Sequence, residues 1–218
     1  MRGLFITFEG SEGCGKSTQI MRLRERLESA GHQTLVVREP GGTAVGEEVR
    51  ALLLAHLEEG SAISAHTELL LFAASRAQLV AEKIGPALDA GVHVMADRFL
   101  DSTTVYQGFG RGLDLIAVSQ INALAAGACR PDLTFLLDMD AAAAHARAHS
   151  RSEGQMDRME SEPMDFYEKI RAGYLQVARE EKKRVSVLDA TQPPDELADR
   201  IWEAVEHKLA RISSAISR

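Results

Sequence analysis

The chain has 218 residues, 45% of them hydrophobic and 26% charged, a balance that fits one α/β domain with a full core of its own. A net charge of -7 excludes broad binding to nucleic acid or to an anionic membrane, because both need a basic excess; any basic site must be local. Cys14 and Cys129 have no metal-type spacing and form no disulfide framework, the apolar run near the N-terminus is too short for a signal-peptide core, and no run reaches the length of a membrane span, so a soluble cytoplasmic protein is expected.

In chain order, Leu4 to Phe8 reads as a buried strand and Ile20-Leu23-Leu27 as the face of a helix. Between them stands Gly10-Ser-Glu-Gly-Cys-Gly-Lys-Ser17, which fills the pattern G-x-x-x-x-G-K-[ST] with Gly10, Gly15, Lys16 and Ser17. Such a loop binds phosphate through successive backbone N–H groups and a helix N-terminus, so residues Gly10, Ser11, Glu12, Gly13, Cys14, Gly15, Lys16, Ser17 and Thr18 are expected to hold a nucleoside triphosphate. Lys16 reaches the outer phosphates, and the Ser17 hydroxyl can ligate Mg²⁺. Glu12 is an acid where a phosphate loop has no need of one.

Further strands are expected at Thr34 to Val37, Gly91 to Ala96, Leu133 to Leu137 and Val185 to Leu188, with helical spacing at Leu69-Leu70-Phe72-Ala73 and at Leu197-Ile201-Val205-Leu209. This alternation predicts a five-stranded parallel sheet covered by helices on both faces, with ligands at the carboxyl ends of the strands. Asp97 closes the third apolar run, where a second acid of phosphate-loop proteins supports the magnesium shell. Two polar stretches break the pattern and are expected to be long functional connections: Asp97 to Gly112, and a lid segment at about 145–162 that carries Arg147, Arg151 and Arg158. With no repeat, linker or composition shift, residues 1–218 read as one domain.

A phosphate loop alone leaves kinases, GTPases and ATP-driven motors or partition proteins open. The absence of Asn-Lys-x-Asp lowers the GTPase reading, while Arg38, Arg76, Arg98 and the lid arginines suit transfer between two anions, which needs neutralising cations rather than a strong base.

Phe8-Glu-Gly-Ser-Glu-Gly-Cys-Gly-Lys-Ser-Thr18, Arg38-Glu-Pro-Gly-Gly-Thr43, Phe72-Ala-Ala-Ser-Arg76, Asp97-Arg-Phe99, Ser102-Thr-Thr-Val-Tyr-Gln107, Gly110-Arg-Gly112 and Asp157-Arg-Met-Glu160 together resemble bacterial thymidylate kinase, in family order over nearly the whole chain. The resemblance implies a three-layer P-loop kinase, usually a homodimer, that uses Mg²⁺ to transfer the γ-phosphoryl group of ATP to dTMP, giving dTDP and ADP. By resemblance, Arg38 and Arg98 hold the acceptor phosphate, Phe72 stacks on thymine, and Arg76 hydrogen-bonds the base. Ser102 and Thr103 lie at the base edge, Tyr106 leaves no room for a 2′-hydroxyl, and Gln107 is a neighbouring contact. Glu12 then faces the 3′-hydroxyl of the deoxyribose. Some relatives carry an arginine inside the phosphate loop and others supply it from the lid; this loop has none, so Arg151 is the leading transition-state residue and Arg147 the next. The rival readings are a UMP or CMP kinase, and a P-loop ATPase acting as a switch.

Overall fold

The structure is a computed structural model that describes residues 2–56, 58, 61–151, 157–159 and 161–216, with the backbone alone for 151 and 213–216. Five parallel strands, β1 (Phe5–Glu9), β2 (Thr34–Arg38), β3 (His93–Asp97), β4 (Leu133–Asp138) and β5 (Val185–Asp189), form one sheet in the order β2-β3-β1-β4-β5. The order reverses at β1, whose carboxyl end is therefore the crevice in which such sheets take ligands.

Alternate residues of the strands feed the two faces. Ile6, Phe8, Met95, Phe135 and Leu137 pack under α1 (Lys16–Ser29) and α9 (Pro194–Ile216), where Leu197, Ile201 and Val205 are buried at the spacing of fours read from the sequence. Phe5, Val94 and Ala96 pack on the other face beneath α3 (Ala65–Leu79), α4 (Gly85–Asp89) and α6 (Leu115–Ala126). Leu136 on that face meets α8 (Met164–Glu180). A further helix, α2 (Ala44–Leu54), begins at Thr43, whose hydroxyl accepts from the Gly46 N–H, and packs on α3. The expected five-stranded sheet covered on both faces is present.

Two expectations change. The stretch after β3 is helical rather than a loose connection: α5 (Leu100–Thr103) runs into a π-helical segment at Thr104–Gly110, and Asp101, Thr103, Val105, Tyr106 and Gln107 are all buried. The segment carries polar residues, but Asp101, Thr103 and Gln107 are held by Arg184, Arg76 and Glu68, so polarity alone did not place it in solvent. The lid segment also opens as helix, because α7 (Ala141–Arg151) extends through Arg151. Its run of alanines has the highest helix propensity of any residue type and needs little burial to hold. No described helix is long and apolar enough to cross a membrane.

Candidate active site

β1 ends on Glu9, and the chain turns through Gly10 to Gly15 before entering α1 at Lys16. The turn needs its glycines: Gly13 has φ 79°, and a Cβ there would stand 2.4 Å from the Ala144 carbonyl oxygen and 3.1 Å from the Arg147 Cβ of α7. The lid helix is thus seated against the phosphate loop, with the root of Arg147 beside it. Lys16 is buried and donates to the Gly10 and Ser11 carbonyls at 3.2 and 2.9 Å. Burial and Arg98 oppose its charge, but Cys14, Glu12 and Asp97 outweigh them and raise its pKa, so it stays an ammonium. At the start of α1 the Ser17 hydroxyl donates to Asp97 Oδ2 at 2.9 Å, pairing a hydroxyl and a carboxylate as hard oxygen donors.

Beside the loop lies a cleft walled by Glu12, Phe72, Arg76, Arg98, Ser102, Thr103, Tyr106 and Gln107, with Glu39 and Pro40 at one side and Asp157, Met159 and Tyr167 at the other. Phe72 is half-buried on α3, one helical turn from Arg76 and one from Glu68, so the three share a face. Two buried polar atoms of the wall, Tyr106 Oη and Glu39 Oε1, have no hydrogen-bond partner among the described residues. Native interiors leave few such atoms, and both belong to residues that line this cleft.

Arg98 joins the loop to the cleft. Its backbone lies in the left-handed region, φ 70°, held there by its N–H donating to the Phe8 carbonyl at 3.0 Å. The guanidinium donates to Glu12 Oε1 at 2.6 Å, Tyr174 Oη at 3.0 Å and Ser102 Oγ at 3.2 Å, and stacks over the Tyr106 ring at 5.2 Å. Beneath it, the buried Glu9 carboxylate accepts from the Phe99 N–H, Ser102 Oγ and Tyr174 Oη. Burial, reinforced by the nearby Asp101 charge, pushes Glu9 up to about 7.

Arg76 is enclosed. Its guanidinium donates to Glu39 Oε2, Asn122 Oδ1, Thr103 Oγ1 and, more weakly, the Phe99 carbonyl. Most of a five-donor fork is therefore engaged by protein, which fixes its plane at the cleft wall. Burial raises Glu39 to about 6 against the opposing pull of Arg76.

The structure brings Glu12, Phe72, Arg76, Arg98, Ser102, Thr103, Tyr106 and Gln107 to one cleft, and Gly10 to Thr18 to the turn beside it. It does not bring Arg38 there. Arg38 pairs with Glu47 at 2.8 Å and lines a neighbouring hollow together with Ser17 and Asp97. Nor does Arg158 stand as a mobile lid cation: it donates to the Leu53 carbonyl at 2.9 Å and to Glu68 at 2.7 Å. Arg147 is exposed on α7; the Arg151 side chain, and Glu160, lie outside the described residues.

The thymidylate kinase family model matches residues 8–201. The chain belongs to the thymidylate kinase family. It is similar to the thymidylate kinase of Syntrophotalea carbinolica, 49% identical over 94% of this chain and 96% of that protein. The thymidylate kinase of Deinococcus radiodurans is likewise 49% identical, over 95% of this chain and 98% of its own length. The crystal structure of thymidylate kinase from Ehrlichia chaffeensis superposes with a TM-score of 0.74 at 31% identity, covering 94% of this chain and 99% of that one.

For a thymidylate kinase, several residues that line the cleft or hold its walls carried no signal in the sequence. Tyr174 belongs to none of the motifs, yet its hydroxyl is shared by Arg98, Ser102 and Glu9. Asn122 likewise stands outside every motif, yet its amide oxygen holds Arg76 and its NH₂ donates to the Leu100 carbonyl. Glu9 and Glu39 stand inside quoted motifs, and only their neighbours were given roles. Their buried positions are set by residues some ninety and forty places away, respectively, in the chain.

Proposed function

We propose that the cleft over Phe72 receives dTMP and the phosphate loop receives ATP, within one nucleoside monophosphate kinase domain. As a thymidylate kinase the chain transfers the γ-phosphoryl group of ATP to dTMP, giving dTDP and ADP. The carrying observation is the position of Arg98, which reaches Glu12 of the loop and lines the cleft, so that one cation serves both anions. Phe72 offers a ring for the base, Arg76 a fixed donor for a base carbonyl, and the buried Tyr106 hydroxyl fills the space beside the sugar.

Lys16 and the loop amides hold the donor phosphates, and Arg98 orients the acceptor phosphate, itself the nucleophile, so no general base is required. Arg38 joins this set through its hollow beside Ser17 and Asp97 once it leaves Glu47. Arg151, with Arg147 next, neutralises charge developing on the transferred group. Ser17 and Asp97, paired hard oxygen donors, would hold Mg²⁺; among the described residues no cluster of three acidic, His or Cys ligands exists to cage it alone. Bound there, Mg²⁺ would neutralise the phosphates between which the group passes.

Leu52 of α2, Leu70 of α3, and Ile116 and Leu124 of α6 are exposed, Leu124 by 85%, on helices of which α2 and α6 each pack on α3. An apolar face of this kind supports a homodimer built from these helices.

An ADP-release assay with dTMP, UMP, CMP and no acceptor tests the assignment. Turnover is expected with dTMP and to fall steeply with the ribonucleotides. Equal ADP release without any acceptor would overturn it.

A further inference from the structure

Glu68 is almost wholly buried, yet it is surrounded by donors. Its Oε1 accepts from Gln107 Nε2 at 2.9 Å and Arg111 Nε at 3.1 Å, and its Oε2 from Arg158 at 2.7 Å and Arg111 at 3.2 Å. Arg111 also pairs with Glu162 at 2.6 Å, closing a network of two carboxylates and two guanidiniums. Burial works against the charge of Glu68, but the bonds from Arg111, Gln107 and Arg158 overcome it and keep the carboxyl below its ordinary range. An ionised carboxylate can only accept.

That restriction fixes the polarity of Gln107. An amide side chain presents a donor at one end and an acceptor at the other, and the two ends exchange by a half-turn about the last bond. With its NH₂ committed to Glu68, Gln107 has its carbonyl oxygen left for the cleft that it lines. We propose that Glu68 is a positioning residue for acceptor recognition: it holds Gln107 as an acceptor toward a donor group of the bound nucleotide, an N–H or hydroxyl. Arg111 and Arg158 keep Glu68 charged for that purpose, which gives the arginine of Asp157-Arg-Met-Glu160 a role away from the transferred phosphate. The inference rests on the reading of this cleft as the dTMP site.

The test is steady-state kinetics on Glu68→Gln, Gln107→Ala and the double variant. A neutral amide at 68 can donate as well as accept, so it no longer dictates which end of Gln107 faces the cleft. Glu68→Gln is expected to raise KM for dTMP about tenfold while kcat and KM for ATP change less than about threefold. In the Gln107→Ala background the same change is expected to add less than about twofold, because Glu68 acts through Gln107. A full additional rise in that background, or an unchanged KM with only a lowered melting temperature, would show Glu68 to be structural and overturn the proposal. Should Glu68→Gln not fold, Glu68→Asp keeps the charge at a shorter reach and is expected to give an intermediate KM; wild-type KM in a folded Asp variant of normal stability, together with Gln107→Ala at wild-type KM, overturns it equally. Phe72→Ala separates the two layers. If it leaves KM for dTMP unchanged, the cleft reading itself has failed; if it raises KM while Glu68→Gln does not, only the role of Glu68 has.

Discussion

The Glu12 carboxylate and the Arg98 guanidinium meet at 2.6 Å, tying the phosphate loop to the residue that follows β3. The acid in the loop therefore orients a cation, and its residue lines the cleft in which the sugar is proposed to lie. Glu12→Gln keeps the shape and removes the charge. It is expected to lower kcat/KM for dTMP by about ten- to a hundredfold, the usual size of a lost charge-assisted contact. Comparison of dTMP with its 3′-deoxy analogue then checks the proposed contact with the sugar: the preference for a 3′-hydroxyl should shrink, and if it persists in full the carboxylate makes no contact with that hydroxyl.

The lid arginines can be ranked by kinetics. α7 is seated on Gly13, which puts the root of Arg147 at the loop, and the helix carries the Arg151 backbone one turn further along the same face. Arg151→Ala is expected to reduce kcat by about a thousandfold or more with ATP affinity nearly intact, as for a cation that acts in the transition state of phosphoryl transfer. Arg147→Ala should lose less. Single-turnover rates and ATP-analogue binding on both variants decide, and the reverse order would exchange the two roles.

Glu9 should leave a mark on stability. Its folded pKa of about 7 lies above the ordinary value of 4.5, so between these the folded state holds a proton that the unfolded chain has released. The stabilising contribution is complete below about pH 4.5 and fades as pH rises through about 7, by on the order of 3 kcal/mol. Glu9→Gln cannot titrate and should flatten this dependence. Urea unfolding of both proteins at pH 5 and pH 7.5 measures it; parallel losses in the two would assign the slope to other groups.

The proposed homodimer can be broken from one position. Leu124 is 85% exposed on α6, so a charge there should not disturb the monomer fold. Leu124→Glu is expected to convert a dimer to monomer in analytical ultracentrifugation with the melting profile of the monomer retained. A wild-type protein that already sediments as a monomer at micromolar concentration would remove the proposal.

The strands show where sequence reading succeeds and where it stops. Apolar runs ending at Phe8, Val37, Ala96, Leu137 and Leu188 predicted all five, yet each strand continues one residue further, to Glu9, Arg38, Asp97, Asp138 and Asp189. Hydrophobicity reports the buried ladder and goes silent where the backbone pairing outlasts it, and there the sheet delivers its charges to the crevice. The cleft residues that carry motif signatures were legible by resemblance. Glu68, Asn122 and Tyr174 were not, because a buried polar side chain is explained by partners that only the fold brings together. The helical character of residues 100–110 escaped for the same reason: much of its burial comes from α3 and α8, which are distant in sequence.

The left-handed backbone at Arg98 has a consequence for how this protein can drift. A glycine would relax that dihedral, while any side chain there bears a strain of about 1–2 kcal/mol. The backbone and the side chain thus prefer different residues at the same position. A glycine at this site would relax the backbone yet vacate the space between Glu12, Ser102, Tyr106 and Tyr174, so the side chain's contacts, and not its own dihedral preference, are what hold an arginine in a conformation made for glycine.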